Sequence, residues 1–99
     1  MFKFFSLLGL SKRAGMLAAG EAKAENAVRQ GEAQLLVLAI DASDNTKKKF
    51  HNSALYYGVP IIEIGTKEEL GHAIGEEYRA IIAGTETGFA EKLYAWAKQ

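Results

Sequence analysis

Three short segments hold the residues whose types and spacing can do chemistry: "GEAKAEN" at 20–26, "DASDNTKKK" at 41–49 and "GEEYR" at 75–79. In the first, Gly20 stands at the start of an expected helix. Backbone amides there have no intrahelical partner, and the missing side chain lets an anion approach closely. Glu21 and Ala22 follow. Lys23 and Asn26, three apart, share one helix face from which both can donate hydrogen bonds to phosphate or to base edges. The same pattern also suits an ordinary solvated face. In the second segment, Asp41 ends the most apolar run of the chain, a position where ligands gather in α/β sheets; alternatively it caps the turn before the next helix. Lys47, Lys48 and Lys49 then load a helix start with cations, which oppose the macrodipole unless an anion sits there or Asp41 and Asp44 compensate. They mark either a solvated face or a seat for a phosphate backbone. In the third, Gly75 turns the chain, Glu76 and Glu77 add acids, Tyr78 can stack on a base or cover the core edge, and Arg79 leads into a strand. Lys12 and Arg13, closing the first helix, supply sequence-independent attraction for phosphate.

Other chemistries find no support. His51 and His72 are far apart and in no metal-ligand spacing. The pairs Glu68–Glu69 and Glu76–Glu77 are adjacent, and adjacent helical residues do not face each other. No nucleophile elbow, Walker loop or dinucleotide fingerprint occurs. The chain has no cysteine, which excludes disulfides and thiolate metal sites. A phosphoacceptor role for Asp41 would need further acids near an N-terminal strand, and here the chain opens with a helix. No enzyme, metal or cofactor is expected.

The charge total is neutral, with 12 Lys and Arg against 12 Asp and Glu. Its distribution is not: residues 1–50 hold eight basic residues against five acids, a net +3, and residues 51–99 hold four against seven, a net −3. One basic and one acidic face are therefore compatible with the neutral sum. The apolar opening is broken by Lys3 and Gly9 and is too short to span a bilayer, so a soluble cytoplasmic protein is the expectation.

The elements that must position these segments follow from periodicity. A helix over 2–13 carries Phe4, Leu7, Leu8 and Phe5 on one side, and a short strand is expected around 16–18. A second helix runs over 21–30 with Ala24, Ala27 and Val28 inward, ending at Gly31. "AQLLVLAI" at 33–40 reads as a central strand buried on both faces. A third helix covers 43–57, with Phe50, Ala54 and Tyr57 on one face. "VPIIEI" at 59–64 is a strand. Thr66 and Glu69 form a capping box for a short helix through Ile74. "RAIIAG" at 79–84 is a strand, and the closing helix places Phe89, Leu93 and Trp96 in the core. At 99 residues this is one domain. The alternation calls for a sheet between helix layers. In such a sandwich the Gly20 turn, the Asp41 turn and the Gly75 loop can converge at one end.

The ordered runs "LLGLSKRAGMLAAGE", "LLVLAIDASDNTKKK", "YYGVP" and "KEELGHAIG" resemble the YlxQ-like bacterial branch of the kink-turn-binding ribosomal protein family, whose archaeal large-subunit members are of the seven-Ae type. The resemblance covers nearly the whole chain. It implies a three-layer α/β/α sandwich with a four-stranded mixed sheet, and non-catalytic binding of a sharply bent helix–bulge–helix RNA with tandem G·A pairs. It also implies that the second helix start, Gly20 to Asn26, enters the RNA major groove, while the loop Gly75 to Arg79 covers the bulge. The chain departs from the family pattern in carrying Ala22 for an asparagine, Lys23 for a glutamate and Asn26 for a lysine. Ala22 offers neither donor nor acceptor, and the covering loop, usually apolar, here carries Glu76 and Glu77.

Two functions fit these residues ahead of a third, a small enzyme or nucleotide binder at the Asp41 strand end. The first is binding of structured RNA, ribosome-associated or otherwise, by a monomer through 20–26, 41–49 and 75–79. The second is a protein-interaction module on the same fold without kink-turn recognition.

Overall fold

The computed structural model describes residues 2–98. Helix α1 (Phe2–Arg13) buries Phe4, Leu7 and Leu8, and the buried Ser11 hydroxyl donates back to the Leu7 carbonyl at 2.8 Å. Strand β1 (Leu17–Ala19) leads through Gly20 into helix α2 (Glu21–Arg29), whose inward residues are Ala24, Ala27 and Val28, as the spacing requires. Gly31, with φ of 75°, follows the end of that helix in the left-handed region that glycine adopts without strain.

Strand β2 (Leu35–Leu38) is buried at every position and lies in the sheet interior. Helix α3 (Asp44–Tyr57) begins at Ser43, whose hydroxyl accepts from the Thr46 amide, and stops at left-handed Gly58. Strand β3 (Ile61–Glu63) follows. Helix α4 (Lys67–Ala73) carries the expected reciprocal capping box, with the Glu69 amide donating to Thr66 at 3.1 Å and the Thr66 amide to Glu69 at 2.9 Å. Strand β4 (Ile81–Gly84) and helix α5 (Thr87–Ala97) complete the chain, with Glu86 accepting from the Phe89 amide at 2.8 Å.

The sheet order is β1-β4-β2-β3, with β2 and β3 parallel and the other pairs antiparallel. Helix α1 packs with α4 and α5, and α2 packs with α3, giving the expected three-layer α/β/α sandwich with a four-stranded mixed sheet. Among the described residues no helix is long and apolar enough to cross a membrane.

Several expectations need correction. The strands are shorter than their apolar runs, because the run ends pair with turns rather than strands. Tyr57 is 46% exposed and does not join Phe50 and Ala54 in the core, since it occupies the last turn before Gly58. In α5 only Ala90 and Leu93 are buried; Phe89 and Trp96 pack against the core edge while remaining partly open.

Candidate nucleic-acid interface

Strand register fixes where the turns go. Ala19 pairs with Ile82, and Leu38 pairs with both Ile81 and Glu63. The carboxyl ends of β1, β2 and β3 and the amino end of β4 therefore share one pole. Backbone bonds then join the turns in series. The Gly20 amide donates to the Ile81 carbonyl at 2.9 Å, and Ala39 donates to Ala80 at 2.8 Å. Ile40 donates to Gly65 at 2.8 Å, and Arg79 donates to Lys67 at 3.0 Å. The Lys67 amide in turn donates to Asp41 Oδ1 at 2.8 Å. The Gly20 turn, the Asp41 turn and the 75–79 loop thus meet, and they meet around a fourth turn, Gly65–Lys67, which the sequence did not nominate.

Gly20 adopts φ 98° and ψ 161°, and no side chain caps α2 there, so its first-turn amides have no side-chain acceptor. Arg79 lies over this glycine: a side chain at Gly20 would begin 3.4 Å from Arg79 Nη1 and 3.6 Å from Cζ. Lys23, Asn26 and Ala22 are exposed on the adjoining face of α2. Tyr78 is 60% exposed and so presents its ring outward rather than covering the core. Ile40, also at this pole, is 51% exposed, an apolar contact hidden in the sequence by its place in an apolar run. The loop is held in place by Gly71 of α4. A side chain there would begin 2.6 Å from the backbone of Glu77 and Tyr78, so only glycine lets helix and loop approach. Gly71 is the residue sequence reasoning passed over; a glycine inside an otherwise good helix was its one visible signal.

Asp41 does not cap the turn before α3. Ser43 does, while Asp41 holds the first amide of α4. Two of the three lysines are compensated, but by neither Asp41 nor Asp44. Lys47 pairs with Glu63 at 3.5 Å, and Lys49 with Glu25 at 2.8 Å and Glu21 at 4.0 Å. Lys48 is exposed and, like Lys23 and Arg13, makes no ion pair among the described residues. The basic and acidic halves of the chain interlock rather than forming separate faces here, since Glu63 meets Lys47 and Glu76 meets Lys12 at 3.8 Å. Glu76 is further paired with Arg79, which leaves Glu77 as the one acid of the loop without an ion-pair partner among the described residues.

Glu25 and Glu63 are both pulled below the ordinary carboxylate range, as is Glu86 by the Phe89 amide it accepts from. The Lys49 ammonium, hydrogen-bonded to Glu25, lowers that group, and the Lys49 ammonium is correspondingly raised. His51 Nε2, 2.7 Å from Glu63 Oε2, lowers Glu63, with Lys47 adding to the effect. A carboxyl depressed on folding contributes stability above its unfolded value and loses it as pH falls through its folded one. The stability difference between wild type and Glu63→Gln should therefore shrink as acid titrates the carboxylate. Urea unfolding of both chains across that range measures it; a pH-independent difference would remove the linkage.

Residues 3–94 match the model of the ribosomal protein L7Ae/L30e/S12e/Gadd45 family. The chain belongs to that family. Within the L7Ae group it is 41% identical to the RNA-binding protein YlxQ of Bacillus subtilis (strain 168), over 92% of this chain and 91% of the relative. It is 38% identical to the RNA-binding protein YlxQ of Enterococcus faecium, over 91% of this chain and 86% of the relative. A solved structure from Bacillus halodurans, of a protein of unknown function, superposes with a TM-score of 0.95 at 38% identity, covering 98% of both chains. The Giardia lamblia 15.5kD RNA binding protein shares the L7Ae fold, with a TM-score of 0.79 at 21% identity over 98% of this chain and 86% of that one. The chain is thus a homologue of YlxQ in a non-catalytic family.

Proposed function

We propose that this chain is a cytoplasmic RNA-binding protein that seats the backbone of a sharply bent structured RNA, of the kink-turn type or within ribosomal RNA, on the pole where its turns converge. The observation that carries the reading is the contact between Arg79 and Gly20, which joins the α2 start to the 75–79 loop. At this start the uncapped amides of α2 and the positive end of its dipole face an incoming phosphate. Lys23 and Asn26 extend the same face with donors, and Lys48 adds unpaired charge. Exposed Tyr78 and Ile40 suit an unstacked base at the bulge. Lys47 and Lys49 take a smaller part than the sequence alone suggests, because their charge is already shared with Glu63 and with Glu25 and Glu21. The family relatives described as RNA-binding support the same direction.

The test is titration with a kink-turn RNA and a control whose G·A pairs are disrupted, at two salt concentrations. Affinity should fall with a log–log slope of about −0.9 per phosphate contact, and the intact bend should be preferred. Lys48→Gln should lower that slope by about one contact, without the like-charge pairs that Lys47→Glu and Lys49→Glu would set against Glu63 and Glu25. Equal binding to both RNAs would mean attraction without recognition of the bend. A second reading, contact with a protein, is favoured by Leu55 and Tyr56, 86% and 83% exposed at the far end of α3. It predicts an interaction with an apolar centre and little response to salt.

A further inference from the structure

Arg79 belongs by position to the loop that meets RNA, yet its side chain turns inward. Its Nε forms an ion pair with Glu76 Oε1, and both atoms are shielded from solvent without a hydrogen-bond partner. Its guanidinium lies over Gly20, with Nη1 3.4 Å from the point where a side chain would begin. Its backbone amide donates to Lys67 at 3.0 Å. One residue thereby touches the α2 start, its own loop and the Gly65–Lys67 turn. Lys12, in the last turn of α1, brings a second cation to the same Glu76 at 3.8 Å. Arg79 is thus already engaged through Nε and through the guanidinium over Gly20, while its side chain as a whole stays 37% exposed.

We propose that Arg79, with Glu76 as counter-ion and Lys12 behind it, is an internal clasp: a positioning residue that sets the spacing between the α2 start and the 75–79 loop, rather than a phosphate contact. The inference rests on the RNA-binding reading above. The planar guanidinium lies over Gly20, where a Cβ would begin in van der Waals contact with it, and a flexible ammonium would not reproduce that flat contact. Glu76 performs two tasks. It cancels the cation next to the positive end of the α2 dipole, and it is itself neutralised, so the loop approaches phosphate without the repulsion its sequence suggests. If Arg79 is removed alone, the Glu76 carboxylate keeps only Lys12 as an ion-pair partner, and the loop loses the pair that holds it beside the α2 start.

A double-mutant cycle of Arg79→Met and Glu76→Gln tests this, with RNA titrations over a salt series and amide hydrogen exchange on the RNA-free chains. In the wild-type background Arg79→Met should weaken RNA binding about tenfold, leave the salt slope unchanged, and speed exchange at both 75–79 and 20–23. In the Glu76→Gln background the same change should cost less than about threefold, because the ion pair is already absent. Thermal unfolding identifies any variant not folded at the assay temperature, and exchange of the neutral double variant then decides. An equal loss in both backgrounds, or a slope lowered by about 0.9, would make Arg79 a phosphate contact and overturn the clasp. Exchange unchanged at 20–23 would overturn it as well. A wild-type chain that binds no RNA would overturn the functional reading and the positioning role together, whereas the preceding outcomes overturn the role alone.

Discussion

Replacing Gly71 with alanine is expected to destabilise the protein by about 1–3 kcal/mol, the range for forcing extra volume into a packed interior, and to weaken RNA binding as well. Helix propensity alone predicts the opposite sign, since alanine is favoured over glycine inside a helix by about 1 kcal/mol. Geometry decides between them. The added carbon would begin 2.6 Å from the Glu77 carbonyl carbon and oxygen and 2.6 Å from the Tyr78 nitrogen. These are backbone atoms, unable to swing aside as a flexible side chain would. Either α4 or the loop must move, and the loop is the less buried of the two. Its displacement carries Tyr78 and Arg79 with it, which is why affinity should fall with stability. Thermal unfolding should register a drop of about 4–8 °C for each kcal/mol lost in a domain of this size. A melting temperature at or above wild type would show that α4 and the loop are not held in contact.

The second large effect is expected at Gly20. Its φ of 98° and ψ of 161° lie in a region that residues with a side chain scarcely enter. Gly20→Val should cost about 1–3 kcal/mol in backbone strain, and its side chain would in addition press on the guanidinium of Arg79. A domain stable by about 5–15 kcal/mol remains overwhelmingly folded after that loss, so an affinity measured at room temperature still reports on the site. RNA binding should fall by about tenfold or more, because the branched side chain blocks the approach of phosphate to the α2 amides and displaces the arginine that braces the loop. Titration beside an unfolding curve separates the two effects. If the variant is folded and binds as wild type does, the start of α2 is not where RNA docks.

Charge is where the structure most changes the sequence reading. Three consecutive lysines at a helix start pose an electrostatic problem, and the local acids Asp41 and Asp44 looked like its solution. Instead Lys49 reaches Glu21 and Glu25 on α2, and Lys47 reaches Glu63 on β3. Lys48 alone is left exposed without an ion pair among the described residues. The acids of the 75–79 loop are likewise fewer in effect than in sequence, since Glu76 is held by Arg79 and Lys12. The ion pairs therefore leave fewer free charges of either sign at this pole than the sequence indicates, with Lys48 the member of the lysine triad left unpaired among the described residues.

The order of helices and strands, the inward faces of α1 and α2, the Thr66–Glu69 capping box and the glycine that ends α2 are all legible in the amino-acid order. Each depends on residues within a turn or two of one another, so periodicity and capping chemistry are enough to read them. The amino-acid order also placed the three polar segments at loops and helix starts, and the strand alternation made their convergence at one end a fair expectation. What those segments do to one another emerges from the folded chain alone. Asp41 spends its carboxylate on an amide 26 residues away, Arg79 lies over Gly20, and Gly71 admits the backbone of the loop. These partners are set by the sheet order β1-β4-β2-β3, which brings distant stretches of chain together. A hydrogen bond, an ion pair or a close backbone approach exists only once that order is in place, and no local pattern of residues encodes it.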